Sequence, residues 1–87
     1  MSDVVDRIRL REIEERLEAA TPGPWTWDEF DAYLWGPNME MVADAPDGQI
    51  RMRGVGAKLP IKANAALIAN APADILWLID RLKKEME

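Results

Sequence analysis

Met39-Glu40-Met41-Val42-Ala43-Asp44-Ala45-Pro46-Asp47-Gly48-Gln49-Ile50-Arg51-Met52-Arg53 is the stretch whose reading decides the fold. Two short runs, Met39 to Ala43 and Gln49 to Arg53, flank Ala45-Pro46-Asp47-Gly48. In such a turn proline presets φ and glycine tolerates the left-handed region, so the stretch predicts an antiparallel hairpin. With residues 45–48 as a four-residue loop, Asp44 faces Gln49, Met41 faces Met52 and Glu40 faces Arg53. Met39, Met41, Ala43, Ile50 and Met52 then share one face, and Glu40, Val42, Arg51 and Arg53 share the other. A three-residue loop with a bulge at Gly48 would mix these sets, so the four-residue loop is the expected register.

Upstream, Trp25-Thr26-Trp27-Asp28 alternates like a strand with both indoles on one side, and Tyr33-Leu34-Trp35 is a second short strand closed by Gly36-Pro37-Asn38. The strand region therefore spans residues 25–54. Before it, residues 3–20 read as a helix with a stripe of Leu10, Ile13, Leu17 and Ala20. Arg11/Glu15 and Glu12/Arg16 lie at i, i+4 on its exposed face. Val4, Val5 and Ile8 lie off that stripe and point to a second contact, with either a neighbouring subunit or a covering loop or sheet edge. Thr21-Pro22-Gly23-Pro24 ends the helix.

Downstream, residues 61–86 read as a helix broken or kinked at Asn70-Ala71-Pro72. Its expected core stripe is Ile75, Ile79, Leu82 and Met86, widened by Leu76 and Trp77. The order predicts one α+β domain over residues 1–87. It has an N-terminal helix, a short antiparallel sheet of three to four strands and a kinked C-terminal helix, with both helices on one face of the sheet.

Composition narrows the function classes. The 87 residues include no cysteine and no histidine, which excludes disulfide staples, ordinary zinc sites and the usual nucleophile–base pairs. No metal site, cofactor or catalytic residue is expected, and the chain reads as a non-enzyme. A net charge of −5 opposes direct nucleic-acid or membrane-surface binding. No stretch is long and apolar enough to span a membrane, and no secretory leader is evident, so a cytoplasmic protein is expected. A domain this small has a marginal core, which makes a homo-oligomer the expected state.

Charge is sharply segregated. Residues 48–63 hold Arg51, Arg53, Lys58 and Lys62 and no carboxylate, whereas residues 21–47 hold Asp28, Glu29, Asp31, Glu40, Asp44 and Asp47 and no cation. Gly54 and Gly56 would let backbone N–H groups approach a ligand. Lys62 and Asn64 begin a helix, where a phosphate is favoured. Of the four tryptophans, Trp25 and Trp77 read as core, and Trp35, beside a turn, reads as the exposed ring able to stack on a base. The expected ligand site is thus Arg51, Arg53, Gly54, Gly56, Lys58, Lys62, Asn64 and Trp35.

Two segments carry a resemblance. Ala19-Ala20-Thr21-Pro22-Gly23-Pro24-Trp25 follows a charged helix, and Asn64-Ala65-Ala66-Leu67-Ile68-Ala69-Asn70-Ala71-Pro72 precedes an Ile/Leu-rich one. Together they resemble the Ead-like early-region family of small phage and prophage accessory proteins and its mycobacteriophage-type relatives. In that pattern an "ATPGPW" turn and an "aDAxFIAxA" helix flank variable strands. Here Asn64 stands for the usual aspartate and Leu67 for the phenylalanine. The resemblance implies a viral origin, the host cytoplasm as location and a part in the phage–host contest, with no catalytic residues to carry over. Two functions are then expected. One is an oligomer that sequesters a phosphorylated small molecule, such as a nucleotide signal of anti-phage defence, between subunits. The alternative is an acidic, DNA-mimic-like inhibitor of a host defence or replication protein, acting through the six carboxylates of residues 21–47.

Overall fold

A computed structural model describes residues 3–54 and 59–86. It has an α+β fold of two helices and one four-stranded antiparallel sheet. Helix α1 spans Asp3–Ala19, strands β1 to β4 span Thr26–Asp28, Tyr33–Trp35, Met41–Asp44 and Arg51–Met52, and helix α2 spans Ile61–Glu85. The strands follow one another in sequence order across the sheet, as short hairpin connections dictate. Helix α1 packs along α2, and α2 meets the sheet at β4. The molecule measures 45 × 24 × 21 Å. At 1.5 Å per residue α2 alone spans about 37 Å, so it sets the long axis.

The hairpin turn forms as expected, but the register does not. The Gly48 N–H donates to the Ala45 carbonyl (3.2 Å) and Gly48 takes φ +84°, so residues 45–48 do make the turn. The ladder, however, joins Asp44 to Arg51 and Ala43 to Met52, two residues out of the predicted register. The cause is local. The Asp47 carboxylate accepts the Gln49 N–H (3.1 Å), holding Gln49 and Ile50 in the loop. Because the shift is even, Ala43 and Met52 still share one face, as expected, and Arg51 stays on the other. A bulge then enters between β2 and β3. Leu34 pairs with Ala43 and Trp35 with Met41, which leaves Val42 as the extra residue, fully buried.

Helix α2 continues through Pro72 instead of ending there. Only its first half lies against the sheet. A Cβ on Gly54 would fall 2.6 Å from Ile61 Cγ1, so glycine at 54 is what lets the chain turn close under α2. Beyond Pro72 the partners of α2 are on α1. The buried apolar residues are few, namely Ile13, Ala20, Val42 and Ala43, and beside them Thr21, Asp44, Asn64 and Asp74 are buried as well. The expected core stripe of α2 is a correction: Ile75, Ile79, Leu82 and Met86 are all exposed, as are Leu10 and Leu17 from the stripe of α1.

No helix of the described residues is long and apolar enough to cross a membrane.

Candidate functional site

The predicted ligand site does not assemble as a cradle. Arg53 lies in a two-pronged pair with Asp44, Nε to Oδ1 and Nη2 to Oδ2, both at 3.0 Å. These hydrogen bonds, opposed by burial and aided by the charges of Arg53 and Arg51, hold the Asp44 carboxyl below its ordinary pKa; the same bonds raise that of Arg53. Arg51 pairs with Asp47 across the turn. Both guanidinium groups are therefore engaged by carboxylates from the acidic segment. The expected Glu40–Arg53 pair does not form, because the shifted register sets Arg53 beside Val42, whose carbonyl accepts its N–H (2.9 Å), and Asp44 takes its guanidinium; Glu40 Oε1 accepts the Asn38 N–H (2.6 Å). Gly54 serves the approach of Ile61. Lys62 is exposed on the first turn of α2. Gly56 and Lys58 lie outside the described residues. Trp35 is half-buried, its ring edge-on to Tyr33 at 5.6 Å.

Asn64 is no ligand contact. It is completely buried, its Oδ1 accepts the Thr21 N–H (2.7 Å) and its Nδ2 donates to Thr21 Oγ1 (2.9 Å). The Trp25 indole N–H in turn donates to the Thr21 carbonyl (3.0 Å). The two segments that carried the family resemblance thus meet at one polar junction, 43 residues apart in sequence. Asparagine and aspartate can both serve there, since the threonine hydroxyl accepts from the one and donates to the other.

A second polar junction went unread in the sequence. Asp74 is buried between the helices and accepts from Arg9 (3.2 Å) and, through both oxygens, from Arg16 (2.9–3.2 Å). Arg16 is thereby taken from its expected partner Glu12, while Arg11–Glu15 forms as expected on the surface. The guanidiniums of Arg9 and Arg81 each lie over the ring of Trp77, at 5.8 and 5.4 Å from its centroid. The signal was present, because a lone carboxylate amid the apolar residues of α2 needs a buried cation.

What remains available lies at the β1–β2 turn. Asp28 Oδ1 accepts the N–H groups of Phe30 (3.0 Å) and Asp31 (3.3 Å), and Ala32 closes the turn with φ 58°. The Ala32 carbonyl accepts the Ala45 N–H (2.8 Å), which ties this turn to the β3–β4 loop. The tip is therefore held from both sides. At that tip Phe30 is 94 % exposed, flanked by Asp28, Glu29 and Asp31, none of which pairs with a cation among the described residues. One strand position away, Trp27 is 54 % exposed, which corrects the choice of Trp35 as the open ring. Trp25, Trp27, Leu34, Ala43, Ile50 and Ile68 line an apolar hollow of about 370 Å³ between the sheet and α2. Phe30 was passed over in the sequence because periodicity does not say which loop residue points outward.

Compared with known proteins, the chain matches no family model, no curated protein and no solved structure. The family resemblance accordingly rests on its two motifs alone.

Proposed function

We propose that the chain is a non-enzymatic interaction protein that binds a basic protein partner through the β1–β2 turn. Phe30 is the anchor, Asp28, Glu29 and Asp31 supply the field, and the neighbouring hollow receives an apolar side chain of the partner. The observation that carries this reading is Phe30, almost wholly exposed on a turn held by hydrogen bonds. An aromatic side chain presented on rigid backbone has little entropy to lose on docking and is a favoured interface anchor. Unpaired carboxylates around it steer a cationic partner and exclude an acidic one.

This reading reverses the order of the two functions expected from sequence. A phosphorylated ligand would have to displace Asp44 from Arg53 and Asp47 from Arg51, and the walls of the nearby hollow are apolar. The acidic-inhibitor reading keeps Asp28, Glu29, Asp31 and Glu40, while Asp44 and Asp47 are neutralised within the chain. The phage resemblance fits a host defence or replication protein as the partner, in the host cytoplasm.

Affinity capture from host lysate tests the proposal when wild type, Phe30→Ala and a Glu29→Gln/Asp31→Asn double variant are run side by side. Expected is a protein retained by wild type at low salt, lost at high salt, and bound at least ~30-fold more weakly by Phe30→Ala. Equal retention by all three chains would refute it. So would a thermal shift with cyclic dinucleotides that vanishes in Arg53→Gln, which would restore the phosphate site.

A further inference from the structure

Ile61, Ala65, Ile68, Pro72, Ile75, Ile79, Leu82 and Met86 repeat along α2 at alternating spacings of four and three. That alternation is the seam of a helix that packs against other helices with knobs in holes. In a chain that is 31 % charged, no position of this seam carries a charge. Its first part meets the sheet, where Ile61 lies on Gly54 and Ile68 lines the hollow. Its second part is left largely open: Ile75 is 55 %, Ile79 44 %, Leu82 60 % and Met86 77 % exposed. Leu10, Trp77, Leu78 and Leu82 also form the walls of an open groove of about 620 Å³ between the two helices. Leu17, two turns on from Leu10, continues the same side of α1.

We propose that this face, the second half of the seam together with the α1–α2 groove, is the contact between two copies of this chain, whose helix pairs close into a four-helix bundle. Three observations select a second copy as the occupant. The first is charge. The groove is rimmed by Asp3, Asp6 and Glu85 and by Arg7, Arg81 and Lys84, equal numbers of each sign in a chain of net charge −5. A two-fold contact sets a surface against itself, so it tolerates a rim of mixed sign and penalises a rim of one sign. The second is area. Leu10, Leu17, Ile75, Leu78, Ile79, Leu82 and Met86, from 38 % to 77 % exposed, offer on the order of 600 Å² per copy, close to the ~800 Å² per partner of a standard stable interface. The third is supply. With four apolar residues buried among the described residues, the fold needs cover whenever it exists, and its own copy is always present in equal amount. The inference is independent of the β1–β2 turn, which lies at the sheet and stays open in such a dimer.

The experiment is light scattering coupled to size exclusion on the full chain across a dilution series, comparing wild type with an Ile75→Glu/Leu82→Glu double variant. Wild type is expected at twice the chain mass, and the double variant at the chain mass, with association weakened on the order of 100-fold or more. A wild type that stays single at about 100 µM, well above the dissociation constants usual for such an interface, overturns the proposal and gives the face to a different partner. Should the double variant lose its helical circular dichroism, cross-linking decides, because the chain has no cysteine of its own. Ile75→Cys, Ile79→Cys and Leu82→Cys are each oxidised beside Gln49→Cys on the hairpin loop. Faster disulfide-linked dimer at a seam position supports the contact; a dimer that forms only at Gln49→Cys overturns it.

Discussion

Along α2 the buried residues are polar, Asn64 and Asp74, bonded to Thr21, Arg9 and Arg16; the apolar residues Ile75, Ile79, Leu82 and Met86 are exposed. A surface helix ordinarily shows the reverse, apolar toward its own chain and polar toward water. The difference teaches that the two sets of residues have different tasks. Within the chain, two polar junctions fix how α2 sits, and each is specific because its donors and acceptors match one partner geometry. The apolar residues Ile75, Ile79, Leu82 and Met86 contribute little to that placement, because they are left exposed.

If that division is correct, the largest loss comes from the inner side. Asp74→Ala leaves the guanidiniums of Arg9 and Arg16, 35 % and 24 % exposed, with no carboxylate between them; water screens part of the loss, so the cost is expected at about 2–4 kcal/mol, below that of a fully buried pair. For a domain of this size that is a large share of the stability, so the urea midpoint followed by circular dichroism should fall well below that of wild type. A triple change of Asp74→Leu, Arg9→Met and Arg16→Leu should recover most of the loss, since an apolar replacement leaves no charge stranded. Recovery would confirm that the triad positions the helices more than it stabilises them. A neutral Asp74→Ala would break the comparison.

Asn64→Ala probes the other inner junction with a smaller effect. It strands the buried Thr21 N–H and removes the donor to Thr21 Oγ1, an expected cost of about 1–3 kcal/mol. Asn64→Asp should lose less, because the Thr21 N–H and hydroxyl can both donate to the carboxylate. A urea midpoint for Asn64→Asp below that of Asn64→Ala would show that the junction depends on the amide donor and not on the acceptor.

These junctions also mark how far the sequence could be read. The helices, the Thr21–Pro24 stop and the Ala45–Gly48 turn were legible because each is a local event set by proline, glycine or a 3.6-residue period. The stripe Ile75, Ile79, Leu82 and Met86 was legible as one face, but periodicity says which residues lie together and not which side finds a partner. Asn64–Thr21, Asp74–Arg16 and Asp74–Arg9 join residues 43, 58 and 65 positions apart, beyond any local pattern. The register error had a narrower origin. Asp47 was counted among the six carboxylates available to a partner, while its carboxylate caps Gln49 and pairs with Arg51, which moves the ladder by two residues. The same misreading made Arg51 and Arg53 look free. Segregation of charge along the chain became pairing of charge across the hairpin.

The smallest effect tests this hairpin pair by pH. Asp44 titrates below the ordinary carboxylate range, first because Arg53 donates two hydrogen bonds to it, with burial opposing and the charges of Arg53 and Arg51 assisting. A carboxyl group depressed in the folded state stabilises the fold at pH values above its unfolded pKa of about 4, and that contribution disappears as pH falls through the lower, folded value. Arg53, raised further, stays charged throughout. Urea midpoints of wild type and Asp44→Asn, measured from pH 7 downward, should therefore run parallel to about pH 4 and converge below it. The gap above pH 4 should be smaller than the one Asn64→Ala opens, since Arg53 is partly exposed and water competes for it. Curves that stay parallel into acid would mean that the Asp44–Arg53 pair contributes no proton-linked stability. The arginine would then be held by its strand alone, and Arg53 would again be free to meet an anion.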